Sequence, residues 1–288
     1  MSCRAAIDDG IDYDMSNLVD AAVDADLGHE VVAWDDPAVD WSKYSLCVVR
    51  STWNYHEDRD AFLRWCARVD TESTIVNSVA LLTWNTDKHY LAELDRAGLP
   101  VVPTTFVETH DPESTWRPAI ERLLVDGDLV VKPAVSAGSN DTERHSDVAT
   151  AAAQVKSLLA RGKSVMLQPY FSLVDTIGET GLVFIDGAYS HAFGKGALLA
   201  GAKSMTGDLY AEEEISARIA SDDERAVGEH VVASISDRFG VPLYARVDLL
   251  PSADGPTIIE LELAEPSLYL GLGEGAAARV VAAITARV

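Results

Sequence analysis

Two neighbouring segments near the C-terminus carry the residue types best suited to chemistry: YARVDLL and TIIELELAEPSL. Side chains alternate faces along a strand, so Arg246 and Asp248 share one face of the first segment and Glu260 and Glu262 one face of the second. Val247, Leu249, Leu261 and Leu263 point the other way. Three carboxylates on facing strands make a hard-oxygen site suited to Mg²⁺, a cation that keeps several waters and shares substrate phosphates. The competing reading is a solvated acidic sheet face. It loses weight because Arg246 shares the face and because AEPSL follows at once.

Lysine is scarce, with seven in the chain. Lys88 sits in WNTDKHY, Lys132 in VVKPAVSAGS and Lys195 in SHAFGKG. Lys132 ends an apolar strand, LVVKP, ahead of the small-residue loop AVSAGSN at 134–140. A cation on a rigid strand beside exposed backbone N–H groups suits phosphate oxygens. By itself a Lys-Pro pair before such a loop is more often an ordinary surface lysine; the combination with the acidic hairpin makes it informative.

The elements that must position these groups alternate short apolar runs with amphipathic stretches, which favours α/β construction. Helices are expected at 16–27 (capped by Ser16 or Asn17), 57–69, 87–98, 147–160, 222–239 and in the C-terminal AAARVVAAITARV. Strands are expected at Glu30–Trp34, Ser45–Arg50, Ile75–Asn77, Leu129–Pro133, Val165–Tyr170, Thr180–Ile185, Tyr189–Phe193, Leu243–Leu250 and Thr257–Leu263. Asp186-Gly187 is a strong hairpin turn. Ser2–Ile7 is short for the buried strand that usually opens an α/β domain, so that strand is either abbreviated or begins upstream.

The composition limits the partners. The chain has 288 residues, 46 Asp plus Glu against 23 Lys plus Arg, and a net charge of −23. Such a balance argues against non-specific nucleic-acid binding, which needs a basic face, and against anionic membrane surfaces. Asp (28) exceeds Glu (18) and Arg (16) exceeds Lys (7). High salt relieves the self-repulsion of spread acidity, so this pattern suggests a halophilic source; an ordinary acidic enzyme is the alternative. Cys3, Cys47 and Cys66 are too few and too irregular for a disulfide framework or zinc motif. No apolar run approaches the ~20 residues of a membrane span, and no secretory signal is recognisable, so a soluble, cytoplasmic protein is expected.

The order Lys88, Lys132 before a small-residue loop, QPY at 168–170, Asp248, Glu260 and Glu262 resembles the ATP-grasp superfamily. WDDPAVDW (34–41), VVRSTWNY (48–55), WNTDKHYL (84–91), SHAFGKG (190–196), YARVDL (244–249) and ELELAEPSLYL (260–270) are most similar to its subgroup of O-ureido-D-serine cyclo-ligases, which form D-cycloserine. The resemblance implies a small N-terminal open α/β domain (1–85) and a two-lobed clamp with mostly antiparallel sheets, divided at 86–170 and 171–288. It implies ATP and Mg²⁺ as cofactors. Lys88 and Lys132 would contact phosphates, with Ser136, Gly138 and Ser139 in the loop closing over them. Gln168, Pro169 and Tyr170 would face adenine. Glu179 would line the cleft. Asp248, Glu260 and Glu262 would hold Mg²⁺, although the commoner superfamily pattern has Asn where Glu262 stands. Arg246 would steady the γ-phosphate or the transition state, and Lys195 would contact the transferred phosphate or an acyl oxygen.

Arg50, Ser51, Thr52 and Trp53 follow an N-terminal strand, where open sheets place ligands. Arg50 would grip a substrate carboxylate, or Arg50 and Trp53 would support the domain interface. His191 reads as structural rather than as a base. The Gly/Ala/Ser-rich 196–211 stretch suits a lid. The implied activity is ADP-forming ligation or cyclisation of a small amino-acid-like substrate, with a homodimer possible. The alternatives are an intermolecular carboxylate–amine ligase or a silent ATP-binding sensor.

Overall fold

The computed structural model describes residues 6, 7, 10, 12–196 and 214–288, so the expected lid at 196–211 and the Ser2–Ile7 segment lie almost wholly outside the described residues. Three sheets follow one another along the chain. The first is a two-stranded parallel pair, β1 (Leu46–Val48) and β2 (Thr74–Val76), in register at Cys47 and Ile75. Between them runs α2 (Arg59–Glu72), preceded in the chain by α1 (Met15–Asp24). Asp58 caps α2 by accepting from Ala61 N–H, which sets its start two residues later than the apolar spacing suggests. The helix buries Phe62, Trp65, Cys66 and Val69. Glu30–Trp34 is not a strand. Its Trp34 ring packs on Phe62 and Trp65 at centroid distances of 5.4 and 5.7 Å, so the segment's apolar residues cover α2 instead of joining a sheet. Likewise α1 starts at Met15 behind Asp14, not at Ser16 or Asn17.

The second sheet is antiparallel, ordered β3 (Thr105–Val107), β6 (Val165–Pro169), β4 (Leu129–Pro133), β5 (Glu143–His145). Two further helices of the N-terminal half, α3 (Val79–Asn85) and α4 (Tyr90–Arg96), precede it. One face is covered by α5 (Glu113–Leu123) and α6 (Val148–Ala160), whose Trp116, Ile120, Val155 and Leu158 pack against Leu129, Val131, Val165 and Leu167. Pro118 lies inside α5 and conceals that helix in the sequence.

The third sheet is also antiparallel. A short helix, α7 (Val174–Ile177), leads into it. Its order is β11 (Gly255–Glu262), β10 (Tyr244–Ser252), β7 (Glu179–Ile185), β8 (Ala188–Lys195), β9 (Ile215–Arg218). Asp186 and Gly187, at φ 53° and 75°, make the expected turn between β7 and β8. One face packs on α8 (Asp222–Phe239), which begins in a Ser221/Glu224 capping box and ends at Gly240. Gly228 permits the close approach: a Cβ there would lie 2.6 Å from Leu182 and 2.9 Å from Phe184. The opposite face carries Arg246, Asp248 and Lys195, with Val183, Phe193 and Tyr244 buried against the C-terminal α9 (Ala276–Thr285) and the loop before it.

β11 is an edge strand, and its outer backbone groups are satisfied by side chains and by the 100–102 segment. Asn85 donates to Leu261 O and accepts from Leu263 N–H, both at 2.7 Å. The Tyr90 hydroxyl donates to Leu261 O and accepts from its N–H, both at 2.9 Å. Ile258 N–H donates to Pro100 O at 2.7 Å. These bonds tie α3 and α4 to the strand that carries Glu260 and Glu262.

Candidate active site

The β10–β11 register places Arg246 opposite Glu262 and Asp248 opposite Glu260. The four side chains therefore meet across two strands, as the alternation requires. Arg246 donates from Nε and Nη2 to the two oxygens of Asp248 at 2.8 and 2.7 Å, and Nη2 also reaches Glu262. Lys195, from β8, stands 2.8 Å from Asp248 and 2.8 Å from Glu179. Lys88 donates to Ser136 O at 2.8 Å and pairs with Glu260 at 3.1 Å. Three chain segments thus deliver one cation each to a row of carboxylates.

Lys132 is buried on β4, and no carboxylate of the described residues lies within 4 Å of its Nζ. Burial lowers its pKa to about 8, against the pull of Glu260 and with the repulsion of Lys88. An under-neutralised lysine at the mouth of the 134–140 loop is ready for an anionic ligand.

The carboxylates differ in charge state. Burial works against Asp248, yet Arg246 and Lys195 hold it well below the usual carboxylate range. Glu260 is also lowered, because Lys88 and Lys132 outweigh its burial. Burial, with Glu260 and Asp248 adding to it against Arg246, pushes Glu262 up to about 7. Among the described residues, no three His, Cys, Asp or Glu side chains stand close enough together to hold a metal ion. Each of the three carboxylates faces a lysine or arginine of the chain instead. As oxygen donors they suit Mg²⁺, but to ligate it they must turn from those partners.

The residues expected at the nucleotide cluster around β6 and the loop. Ser136 is buried and Gly138 and Ser139 have φ of 59° and 57°. Gln168 is buried, donates to Thr104 at 2.8 Å, and has no partner on its Oε1 among the described residues. Pro169 ends β6 opposite Leu129. The Tyr170 ring lies 3.7 Å under the Arg144 guanidinium carbon, and its hydroxyl binds Asp175.

The 50–53 segment faces the C-terminal loop. Arg50 donates to Asp14 at 3.1 Å, and Asp14 accepts from Leu268 and Leu270 N–H at 2.6 and 2.7 Å. Trp53 Nε1 donates to Glu265 O at 2.9 Å. Ser51 binds Asp12, and Thr52 is fully buried. The remaining donors of Arg50, Nε and Nη1, are sealed from solvent and have no partner among the described residues. Arg50 and Trp53 are therefore bound into the junction between residues 12–53 and 264–270. His191 donates to or accepts from Ser190 and faces Leu268 O at 2.8 Å, a structural placement.

Residues 1–77 match a family model described as the N-terminal domain of D-cycloserine synthetase DcsG. The chain is 39% identical over 287 residues to the cycloserine biosynthesis protein DcsG of Streptomyces lavendulae, covering 96% of this chain and 94% of that protein. The chain belongs to the DcsG family of ATP-grasp ligases. The crystal structure of D-cycloserine synthetase DcsG superposes with a TM-score of 0.90 at 38% identity, covering 96% of this chain and 95% of that one. A D-alanine–D-alanine ligase from Bacillus anthracis complexed with ATP matches at a TM-score of 0.61 and 13% identity, covering 84% of this chain and 78% of that one, a likeness of fold alone.

Sequence reasoning missed several residues of this DcsG-family site. Asn85 and Tyr90 hold the edge of β11; both lie in the WNTDKHYL motif, which by itself assigns no role to either. Glu265 is buried directly after the carboxylate row. Its only signal was its place in AEPSL. Among the described residues, no helix is long and apolar enough to cross a membrane.

Proposed function

We propose that this DcsG-family ligase uses ATP to activate the carboxylate of a small amino-acid-like substrate as an acyl phosphate, which a nitrogen of the same molecule then attacks to close a ring. ADP and phosphate are released. The substrate chemistry that fits is that of O-ureido-D-serine closing to D-cycloserine, in which the ring-closing nitrogen also sheds its carbamoyl group, taken up by water as CO₂ and ammonia. The supporting observation is the convergence of Lys88, Lys195 and Arg246 on Glu260, Asp248 and Glu262, with Lys132 buried beside them.

Phosphoryl transfer needs positioning and neutralisation of charge more than covalent chemistry from the protein. Lys88 and Lys132 would hold phosphate oxygens beside the Ser136–Asn140 loop. Gln168–Tyr170 would line the adenine pocket, where the unpartnered Gln168 Oε1 is an available acceptor. Arg246 and Lys195, already fixed by Asp248 and Glu179, would stabilise the transferred phosphoryl group. Asp248, Glu260 and Glu262 would hold Mg²⁺, which supplies further neutralisation of the phosphates when bound. Residues 1–85 would form the N-terminal domain, with 86–170 and 171–288 the two lobes of the clamp. A cytoplasmic location, a homodimer and a halophilic source belong to the same reading.

The test is release of ADP and phosphate in Mg²⁺, with O-ureido-D-serine and with pairs of amino acids. Formation of the cyclic product from the single substrate supports the proposal. Turnover only with two amino acids would assign intermolecular ligation, and nucleotide binding without turnover across the panel would assign a sensor.

A further inference from the structure

Glu265 is 8% exposed, yet its carboxylate makes neither a hydrogen bond nor an ion pair with any described residue. Asp14 shows what a structural acid in this region looks like: it is buried, at 2% exposed, and accepts from Arg50 and from two backbone N–H groups. Burying an unpaired acid costs stability unless a partner arrives.

The backbone around Glu265 is fixed from three sides. Trp53 Nε1 donates to Glu265 O at 2.9 Å, the Tyr244 hydroxyl to Ala264 O at 2.9 Å, and Arg246 Nη1 to Ser267 O at 3.0 Å. The segment is thus held against the same arginine that organises the carboxylate row. Among the charged groups that act most strongly on Glu265 are Glu262, Lys88, Glu260 and Arg246, all of the site; burial with the two glutamates, against Lys88 and Arg246, raises its pKa well above the usual carboxylate range. Tyr55 and Tyr244 are near enough to feel its charge.

From this geometry we propose that Glu265 receives the ammonium group of the amino-acid substrate and selects substrates that carry a free α-amino group. The inference rests on the ligase reading above. An ammonium brings three donors and a positive charge into direct contact with a carboxyl group that no described residue hydrogen-bonds or ion-pairs, and so favours its ionised, accepting form. It would also orient the substrate, with its carboxylate directed to Arg246 and the phosphates.

The test compares wild type, Glu265→Gln and Glu265→Asp with O-ureido-D-serine and with its analogue lacking the α-amino group, reading ADP release, and measures Mg-ATP affinity separately by calorimetry. Glu265→Gln is expected to raise KM for the amino acid about 10- to 100-fold. Mg-ATP affinity should be unchanged, and the gap between substrate and analogue should narrow. Glu265→Asp, which keeps the charge, should retain the preference. An unchanged KM in an active enzyme, or a changed Mg²⁺ requirement in place of a changed KM, would overturn this inference alone. A wild-type protein inert toward every amino acid would instead overturn the ligase reading and this inference with it. If Glu265→Gln does not bind ATP, the Asp variant and the wild-type ratio of substrate to analogue decide: equal KM values for the two compounds overturn the proposal.

Discussion

Arg246 donates to both oxygens of Asp248, at 2.8 and 2.7 Å, from two residues earlier on the same strand. Neither side chain can leave without exposing the other, because both are buried and Asp248 also neutralises Lys195. Asp248→Asn therefore removes the counter-charge that two buried cations share, leaving Arg246 with Glu262 and Lys195 with Glu179. Breaking a buried ion pair from one side costs about 3–5 kcal/mol, so this variant should lose much of its stability along with its activity. Glu260 is more accessible, with its side chain 29% exposed, and has Lys88 as its ion-pair partner. Glu260→Gln should keep the fold and lose ADP release by at least ~100-fold, the scale of removing a group that positions transition-state charge. Paired thermal melts and turnover assays separate the two effects; full activity in Glu260→Gln would remove it from the machinery.

A glycine prediction follows from the same sheet face. A Cβ on Gly181 would overlap the ring of Phe193, which is fully buried and lies 5.8 Å from the Arg246 guanidinium carbon. Gly181→Ala must push that ring toward Arg246 or Tyr269. Overpacking of this kind costs roughly 1–3 kcal/mol. The expected result is a lower Tm and a reduced kcat, with Mg-ATP affinity preserved. A variant that melts and turns over as wild type would show that the ring has space to move.

The hairpin of β10 and β11 was legible because alternation is a local property: YARVD and ELE contain their own face assignment. The partnerships were not. Lys195 reaches Asp248 and Glu179 only because β8, β7 and β10 align in a particular register, and that register depends on strands far apart in the chain. Glu262 reads as a metal ligand from its spacing, but the register sets Arg246 opposite it. Asn77 and Asn85 look like ordinary polar residues of a loop and a helix end, yet Asn77 donates to Tyr244 O and Leu263 O at 3.0 and 2.8 Å. Glu30–Trp34 fails for the converse reason: its apolar residues are used by α2, which a local pattern cannot reveal.

Asn85 offers a direct test of the edge-strand arrangement. Its side chain satisfies one carbonyl and one N–H of β11, and both lie in the buried junction with α3. Asn85→Ala leaves the Leu263 N–H without its partner, at about 1–3 kcal/mol for a group left unsatisfied, while Leu261 O keeps the Tyr90 hydroxyl. The variant should melt earlier and show faster hydrogen exchange at Leu263. Its turnover should fall too, since β11 carries Glu260 and Glu262. Unchanged exchange at that amide would show that the edge is held by other contacts.

Lys132 supplies a pH signature. Its folded pKa of about 8 lies below the value near 10.4 of an unfolded lysine. Between these values the unfolded chain binds more protons than the native one, so the contribution of Lys132 makes stability rise with pH across that window. Below pH 8 the cost of its buried charge is fully present. A bound polyanion reverses the preference by favouring the ammonium. Mg-ATP binding at pH 8 should therefore draw in on the order of half a proton, and affinity should fall as pH climbs through 8 to 10. Calorimetry in two buffers of different ionisation enthalpy measures that uptake. In Lys132→Met the uptake should disappear and the nucleotide-free protein should gain stability below pH 8, because a buried unpaired charge has been replaced by an apolar chain of similar length. Proton uptake equal to wild type in Lys132→Met would move the linkage to another group.

The net charge of −23 sets a last expectation, for salt. Lys88, Lys195 and Arg246 are buried beside their carboxylates, whereas pairs such as Arg117–Glu113 and Lys43–Asp40 lie at the surface. Raising KCl from 0.1 to 1 M shortens the screening length from ~10 to ~3 Å, so surface pairs weaken while the wider repulsion among unpaired acids weakens more. If the halophilic reading holds, stability rises through this range. A gain of ~2 kcal/mol would raise Tm by roughly 4–8 °C in a protein of this size. The buried pairs around Asp248 are screened far less, so Gly181→Ala and Asn85→Ala should show the same salt increment as wild type. A Tm that is highest in dilute buffer would identify an ordinary acidic enzyme whose charge is balanced by surface pairing.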